Sequence, residues 1–340
     1  MGRRLTLLKN LLRHPLLFKT LLSNLKSTRI YMNAVVAEHF ADMLNPLLEQ
    51  KKTLSIKDLA NSQGYVNDNL LIELLRILES EGYIRIIQDN IQVLKRIPKD
   101  HIDEVEKKLA KEVKESFHSF VPTIKKALGD RLKGIPISEF DAGELRVQWE
   151  IALKGDFYTL QRSKALNFAR IPDFTKNRAP PIRILDYGCG SGEGTRQLYD
   201  FFKKNCNMDF TLDGCDVSIG LLEIAEDDVA LDYPLEFFSL KDTNPKKNYY
   251  DAIFLSQVIH WPEDTYKLIK ELKESLKPGG MLFGVESNLS SRIYQIDLFL
   301  RLLGSQGFPK IELLYDWFES NGLKLIYDEV FYSFKAIKPS

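Results

Sequence analysis

The sequence predicts an α/β fold in its C-terminal half, a Rossmann-like, doubly wound parallel sheet. An α-helical domain with winged-helix order precedes it. Three observations predict this. Short apolar runs at 182–187, 210–216, 235–240, 250–256 and 280–286 alternate with helix-periodic stretches at roughly 193–204, 219–229 and 263–276. Such alternation makes the strands parallel and covers both faces of the sheet. The first run leads into Ile184-Leu185-Asp186-Tyr187-Gly188-Cys189-Gly190-Ser191-Gly192-Glu193-Gly194-Thr195, a strand, an acid, alternate glycines and a helix start. Ahead of residue 100 the order is helix, turn, helix, hairpin.

The 340 residues suffice for two domains, with 44% apolar and 28% charged residues, as in an ordinary globular chain. Lys+Arg and Asp+Glu both number 47, so no global field draws the chain to nucleic acid or membrane. The three cysteines, Cys189, Cys206 and Cys215, lack paired spacing, which points to a reducing, cytoplasmic setting. With no C-x-x-C and no His/Cys cluster, no metal site is expected. No uninterrupted apolar run approaches a membrane span.

Residues 1–29 are basic and amphipathic. Arg3, Arg4, Lys9, Arg13, Lys19, Lys26 and Arg29 interleave with leucines, and no acid precedes Glu38. The spacing predicts a helix broken near Pro15. It suits a dimerisation or domain-packing helix, with membrane-surface contact as the alternative. Residues 30–50 continue helically with Val35, Val36, Phe40, Met43 and Leu47 on one face. Ser55 and Asp58 read as a capping box, a second helix runs from Asn67/Asp68 to Glu81, and Gly82 closes it. Tyr83 to Leu94 reads as a hairpin. From Lys57 to Glu81 two bases (Lys57, Arg76) face five acids (Asp58, Asp68, Glu73, Glu79, Glu81), a net charge of −3 that opposes a phosphate backbone. No nucleic-acid partner is therefore expected.

Ile102, Val105, Leu109, Val113, Phe117 and Phe120 recur every three or four residues, predicting one helix over 101–128. Gly129 to Gly143 reads as loop, Val147–Ile171 as helix and Pro172 to Pro181 as linker. Past the sheet, 292–303 and 311–320 read as helices, and Leu323–Tyr327 with Val330–Ile337 as a final strand pair. The expected division is 1–100 (helical and winged-helix), 101–178 (bridge and linker) and 179–340 (sheet domain).

The glycine loop excludes some ligands. A dinucleotide fingerprint, G-x-G-x-x-G, would need glycine at Glu193 or Thr195, and no Gly-Lys-Ser/Thr is present for a triphosphate. Acids at Asp186 and Glu193 with no lysine suit a cationic ligand better than a pyrophosphate. Ligands of such sheets lie outside the carboxyl ends of the strands. There the second strand ends Cys215-Asp216-Val217-Ser218, the third runs into Asp242, and the fourth ends at Ser256 before Gln257-Val258-Ile259-His260-Trp261. Asp216 or Ser218 also stands where a helix N-cap belongs.

The D-x-G-x-G-x-G pattern resembles motif I of the class I S-adenosylmethionine-dependent methyltransferases. The matching strand ends, and Lys277-Pro278-Gly279-Gly280 at the turn into the fifth strand, extend the resemblance over roughly 180–290. It implies that S-adenosyl-L-methionine binds through Asp186, Gly188, Gly190 and Gly192. It also implies that Asp216, with Val217, meets the ribose, Asp242 meets the adenine amino group and Ser256 walls the cofactor. S-adenosyl-L-homocysteine would be the product. Behind a winged helix, the arrangement is similar to the dimeric small-molecule O-methyltransferases, which implies a homodimer and O-methylation of a hydroxyl. Plant members of that group show His-Asp-Trp where this chain has His260-Trp261-Pro262. His260 is the candidate general base, since imidazole accepts a proton near neutral pH. Its partner acid would be Glu286, Glu312 or Glu319. Two alternatives stand beside this. One is N- or C-methylation by proximity of a lipid or quinone at a membrane surface; the other is a winged-helix regulator that uses the nucleoside as a ligand.

Overall fold

The computed structural model describes residues 15–109, 114, 118, 120–135, 154–176, 178–290 and 293–340. In chain order the elements begin with α1 (Pro15–Gln50), β1 (Thr53–Ser55), α2 (Ile56–Gln63), α3 (Asp68–Ser80), β2 (Ile84–Ile87), β3 (Asn90–Val93), α4 (His101–Glu106) and α5 (Val121–Leu132). The second stretch holds α6 (Asp156–Ala169), α7 (Ile171–Thr175), β4 (Ile182–Tyr187), α8 (Glu193–Asn205), β5 (Phe210–Asp216), α9 (Ile219–Ala225), β6 (Glu236–Ser239), β7 (Tyr250–Ser256), α10 (Thr265–Ser275) and β8 (Leu276–Val285). It ends with α11 (Tyr294–Leu302), α12 (Ile311–Ser320), β9 (Lys324–Asp328) and β10 (Ser333–Ile337). The chain forms two compact units. One holds Leu21–Phe140 and takes in Arg292–Gly304; the other holds Asp141–Ser291 and Ser305–Ser340. Among the described residues no helix is long and apolar enough to cross a membrane.

The C-terminal unit is built on a seven-stranded sheet of order β6-β5-β4-β7-β8-β10-β9. The first five strands are parallel, and β10 runs antiparallel to both β8 and β9. Alternate residues serve opposite faces, as the two-residue period of a strand dictates. Ile182, Ile184, Ala252, Phe254, Met281, Phe283 and Val285 pack with Leu166 of α6 and with Leu198 and Phe202 of α8. Leu185, Ile253, Leu255 and Leu282 pack the other way, against Leu268, Ile269 and Leu272 of α10 and Leu314 and Phe318 of α12. The near-continuous apolar runs read in the sequence are strands buried on both sides. Connections from β4 run outward to β5 and β6, then return to β7 on its other side. The switch point between β4 and β7 is where such a sheet opens a crevice. At the amino end of β7, Asp251 accepts from Lys277 Nζ (2.5 Å) and from the backbone N–H of Arg183 (3.0 Å), which locks the far side of the sheet.

In the N-terminal unit a three-stranded sheet of order β1-β3-β2 follows α1. Ser55 caps α2, accepting from Asp58 N at 2.9 Å, and Asn67 caps α3, accepting from Leu70 N at 3.1 Å. The two-residue turn Gln88–Asp89 has positive φ at both positions (46° and 64°), the geometry a tight hairpin requires. A partly buried cluster ties in α11. Both carboxylate oxygens of Glu73 on α3 accept from the Arg301 guanidinium, and one also accepts from Tyr294 Oη (2.6 Å). Arg301 Nε donates to Asp297 (2.8 Å).

Three expectations change. Helix α1 is buried all round from Tyr31 to Ala37, not along one face, as suits a central helix. The single helix over 101–128 does not form. The chain turns at 107–109 and a new helix starts at Val121, with Pro122 in its first turn, where a missing N–H costs nothing. That helix runs through Gly129, where loop was expected. The proposed basic helix falls partly outside the described residues, which begin at Pro15, the position of the expected break.

Candidate active site

The glycine loop turns out of β4 with Gly188, Gly190 and Gly192 at φ 73°, 55° and 81°. Only glycine holds this conformation without strain. A side chain would also collide here: a Cβ on Gly188 would stand 2.5 Å from Val258 Cγ2. The loop is anchored to β5, since Gly188 N and Cys189 N both donate to the carbonyl of Cys215 (2.7 and 3.0 Å). Asp216, at the end of β5, draws both loops together. Its Oδ2 accepts from Gly190 N at 2.9 Å and its Oδ1 from Ser218 N at 2.8 Å. Ser218 itself caps α9, so the cap role falls to its side chain. The Asp216 carboxylate oxygens can also accept from a ligand hydroxyl.

Asp186 lies beneath the loop, buried, with Oδ2 accepting from the Thr195 hydroxyl at 2.7 Å. Burial pushes its carboxyl up to about 7, against the pull of Thr195 and of Arg162. Arg162 reaches the loop from α6. It is buried, its Nε donates to Gln197 Oε1 (2.8 Å), and burial pulls its guanidinium down. Neither Arg162 nor Thr195 was singled out in the sequence; Arg162 sat in a stretch read only as helix.

Of the other expected cofactor residues, Val217 is 59% exposed, an apolar side chain left open beside Asp216. Ser256 ends β7, in register with Val285. Asp242 lies exposed in the turn after edge strand β6, a turn stitched to Asp216 through Leu240 N (2.9 Å). The Ser191 hydroxyl in the glycine loop is buried without a partner.

His260 is 2% exposed. Its Nδ1 lies 2.7 Å from Glu286 Oε1, at the end of the neighbouring strand β8. The second oxygen of Glu286, itself fully buried, accepts from Ile259 N at 2.8 Å. Glu286 is held in turn by Tyr327 Oη, which donates to its carbonyl (2.6 Å). The carbonyl of His260 accepts from Gln306 N (2.9 Å) and Ser305 Oγ (3.0 Å). The rings of Trp261 and Phe308 flank the imidazole at 5.3 and 4.8 Å between centroids. An ionised Glu286 can only accept, so it fixes the proton on Nδ1 and leaves the Nε2 lone pair open. Glu312 and Glu319, the other acids considered, are exposed on α12 and make no such pair.

An open sheet with a glycine loop at its switch point and an acid closing the next strand defines the class I S-adenosylmethionine-dependent methyltransferase architecture. A family model described as a methyltransferase domain matches residues 158–328, half of the chain, and the chain belongs to that family. Its cofactor is S-adenosylmethionine, and the domain is a methyltransferase dependent on it. The chain is 29% identical over 130 residues to a malonyl-[acyl-carrier protein] O-methyltransferase of Halalkalibacterium halodurans, a match covering 36% of this chain and 46% of that one. It spans less than half the length of the curated relatives it matches. Two solved structures share the fold over 98% of this chain. The CurJ carbon methyltransferase aligns with a TM-score of 0.67, 17% identity and 99% of its own chain; the DszA carbon methyltransferase aligns with 0.65, 18% and 93%.

The residues present fit the cofactor. The left-handed glycine backbone, the Ser191 hydroxyl without a partner among the described residues and the acceptor oxygens of Asp216 suit a nucleoside with a flexible amino-acid tail. A loop without lysine suits its positive charge.

Proposed function

We propose that this domain methylates an acidic carbon, one flanked by carbonyl groups, with His260 as general base and Glu286 as its support. The observation that carries this is the buried His260–Glu286 pair. A carboxylate held against Nδ1 stabilises the imidazolium that forms when Nε2 takes a proton. Such a device is superfluous for amines or thiolates, which are good nucleophiles, and for a free carboxyl, which is ionised near neutral pH. It serves an acceptor whose proton must be removed. Two structures that align over 98% of the chain are carbon methyltransferases, which supports carbon, although an O-methyltransferase family 2 protein also aligns over 92% of it with a TM-score of 0.51. When bound, the cofactor supplies an electrophilic methyl on a sulfonium that leaves as a neutral thioether. The acceptor carbon gives its proton to Nε2, and the electron pair so released forms the new bond to the methyl. Trp261 and Phe308 shield the imidazole from water.

O-methylation of a hydroxyl is the second reading. The same base serves it, and the sequence relative is an O-methyltransferase. Product chemistry separates the two. The protein is incubated with S-adenosylmethionine and either the acetoacetyl or the 3-hydroxybutyryl thioester of N-acetylcysteamine. We expect a methyl group on the acetoacetyl methylene that survives mild alkali. A methyl found only on the hydroxybutyryl oxygen, as an alkali-stable ether, would sink the carbon reading.

In the N-terminal unit, the order helix, strand, two helices, hairpin supports reading residues up to Val93 as a winged helix. Its second helix is poorly suited to DNA: besides its net acidity, Glu73 is committed to Arg301.

A further inference from the structure

Beside the dyad stands a polar trio that proton removal does not use. Gln257 follows β7 directly and holds φ 59°, a left-handed conformation uncommon for a non-glycine residue. Strain of this kind collects at functional sites. Here it is held by Gln257 N donating to Val285 O at 2.8 Å. The Gln257 side chain is fully committed. Its Nε2 donates to Ser287 Oγ (3.0 Å) and to Gln161 Oε1 (3.3 Å), and its Oε1 accepts from Ser287 N (3.2 Å). Both neighbours are more than nine-tenths buried, Gln161 at 3% exposed and Ser287 at 6%. Each keeps one donor unused: the Gln161 amide nitrogen and the Ser287 hydroxyl donate to no acceptor among the described residues. Two donors fixed on one nitrogen, with no acceptor among the described residues, suit an oxygen brought by a bound molecule. The trio shares its loops with the dyad, since Ser287 follows Glu286 and Gln257 stands three residues before His260.

We propose that Gln161 and Ser287 form a donor pair for the carbonyl oxygen of the acceptor. As His260 Nε2 takes the proton from the adjacent carbon, the C–H electron pair moves into the carbonyl. The enolate oxygen so formed is stabilised by the two donors. When the carbon then bonds to the methyl, the electrons return and the carbonyl is restored. Donors placed where charge develops, in a site closed to water, need no reorganisation at the moment of reaction. This inference rests on the carbon-acid reading. A carboxylate oxygen of the cofactor's amino-acid tail would satisfy the same donors, so the experiment separates the two sources.

The test uses wild type, Gln161→Leu and Ser287→Ala, each checked for folding by thermal melting. Acetylacetone is titrated by ultraviolet absorbance against each protein with S-adenosylhomocysteine bound; its enolate absorbs apart from the ketone. Wild type is expected to raise the enolate fraction, and each variant to lose most of that rise. Turnover of the acetoacetyl thioester at saturating cofactor should fall about 100-fold in Gln161→Leu, the scale for losing one such donor. Affinity for S-adenosylhomocysteine should stay within about twofold. Unchanged enolate and turnover in both variants overturn the proposal. So does a loss of S-adenosylhomocysteine affinity with normal turnover at saturation, which gives the donors to the cofactor. Carbon-methylated product without an enolate signal removes the donor pair and leaves the carbon reading intact. An enolate signal without carbon methylation does the reverse.

Discussion

The two halves of the site are made by different means. The cofactor loop is a continuous run from Asp186 to Gly194, shaped by glycine backbone and anchored by amides. The proposed base and its carboxylate are 26 residues apart and meet only because β7 and β8 are neighbours in the sheet. Binding is thus encoded locally and chemistry by topology, and the two should come apart under mutation.

The largest separation is expected at the dyad. General-base help is worth roughly 10²–10⁴-fold in rate. His260→Ala should lower turnover at least about 100-fold, and Glu286→Gln by less, with affinity for S-adenosylhomocysteine nearly unchanged in both. Steady-state kinetics beside calorimetry would check this. A drop below tenfold in His260→Ala, with intact folding, would move the reaction to proximity alone.

The converse is expected at Asp216→Ala, which removes the acceptor for Gly190 N and Ser218 N along with the proposed ribose contact. Hydrogen bonds to a charged group contribute about 1.5–3 kcal/mol. Calorimetry should therefore show a tenfold or greater loss of S-adenosylhomocysteine affinity, while turnover at saturating cofactor recovers to within a few-fold. Undiminished binding would end the ribose assignment.

The smallest effect concerns Asp186, whose folded value near 7 lies above its ordinary 3.8. Between those values the folded chain holds a proton that the unfolded chain has lost. Stability should then fall as pH rises from about 4 to about 7 and level off above that. Urea denaturation of the cofactor-free protein should show this fall reduced by about 1–2 kcal/mol in Asp186→Asn. Parallel pH curves for variant and wild type would show that Asp186 does not carry the effect.

Much of the fold was legible because apolar period and glycine position are local signals. The strands expected at 182–187, 210–216 and 250–256 match β4, β5 and β7. The 101–128 stretch misled for the same reason: a three-four repeat continues through a turn that it cannot register, and Pro122 was the overlooked signal. In the site, the glycine loop and Asp216 were readable, and His260 stood out as the histidine at a strand end. Choosing Glu286 over Glu312 and Glu319 needed strand neighbours, which spacing does not give. Gln161 and Arg162 look like any polar residues on a helix. The left-handed turn at Gln257 carries no glycine or asparagine to announce it.

The clasp between Glu73 and Arg301 bears on how the chain is made. Domains synthesised first usually fold first. Here Glu73 leaves the ribosome 228 residues ahead of the guanidinium that neutralises it. All five parallel strands, β4 to β8, are synthesised in between. The amino-terminal unit therefore gains α11 only after the five parallel strands have emerged. Its last piece is encoded beyond those strands, and the nascent chain carries that unit without α11 across most of its own translation.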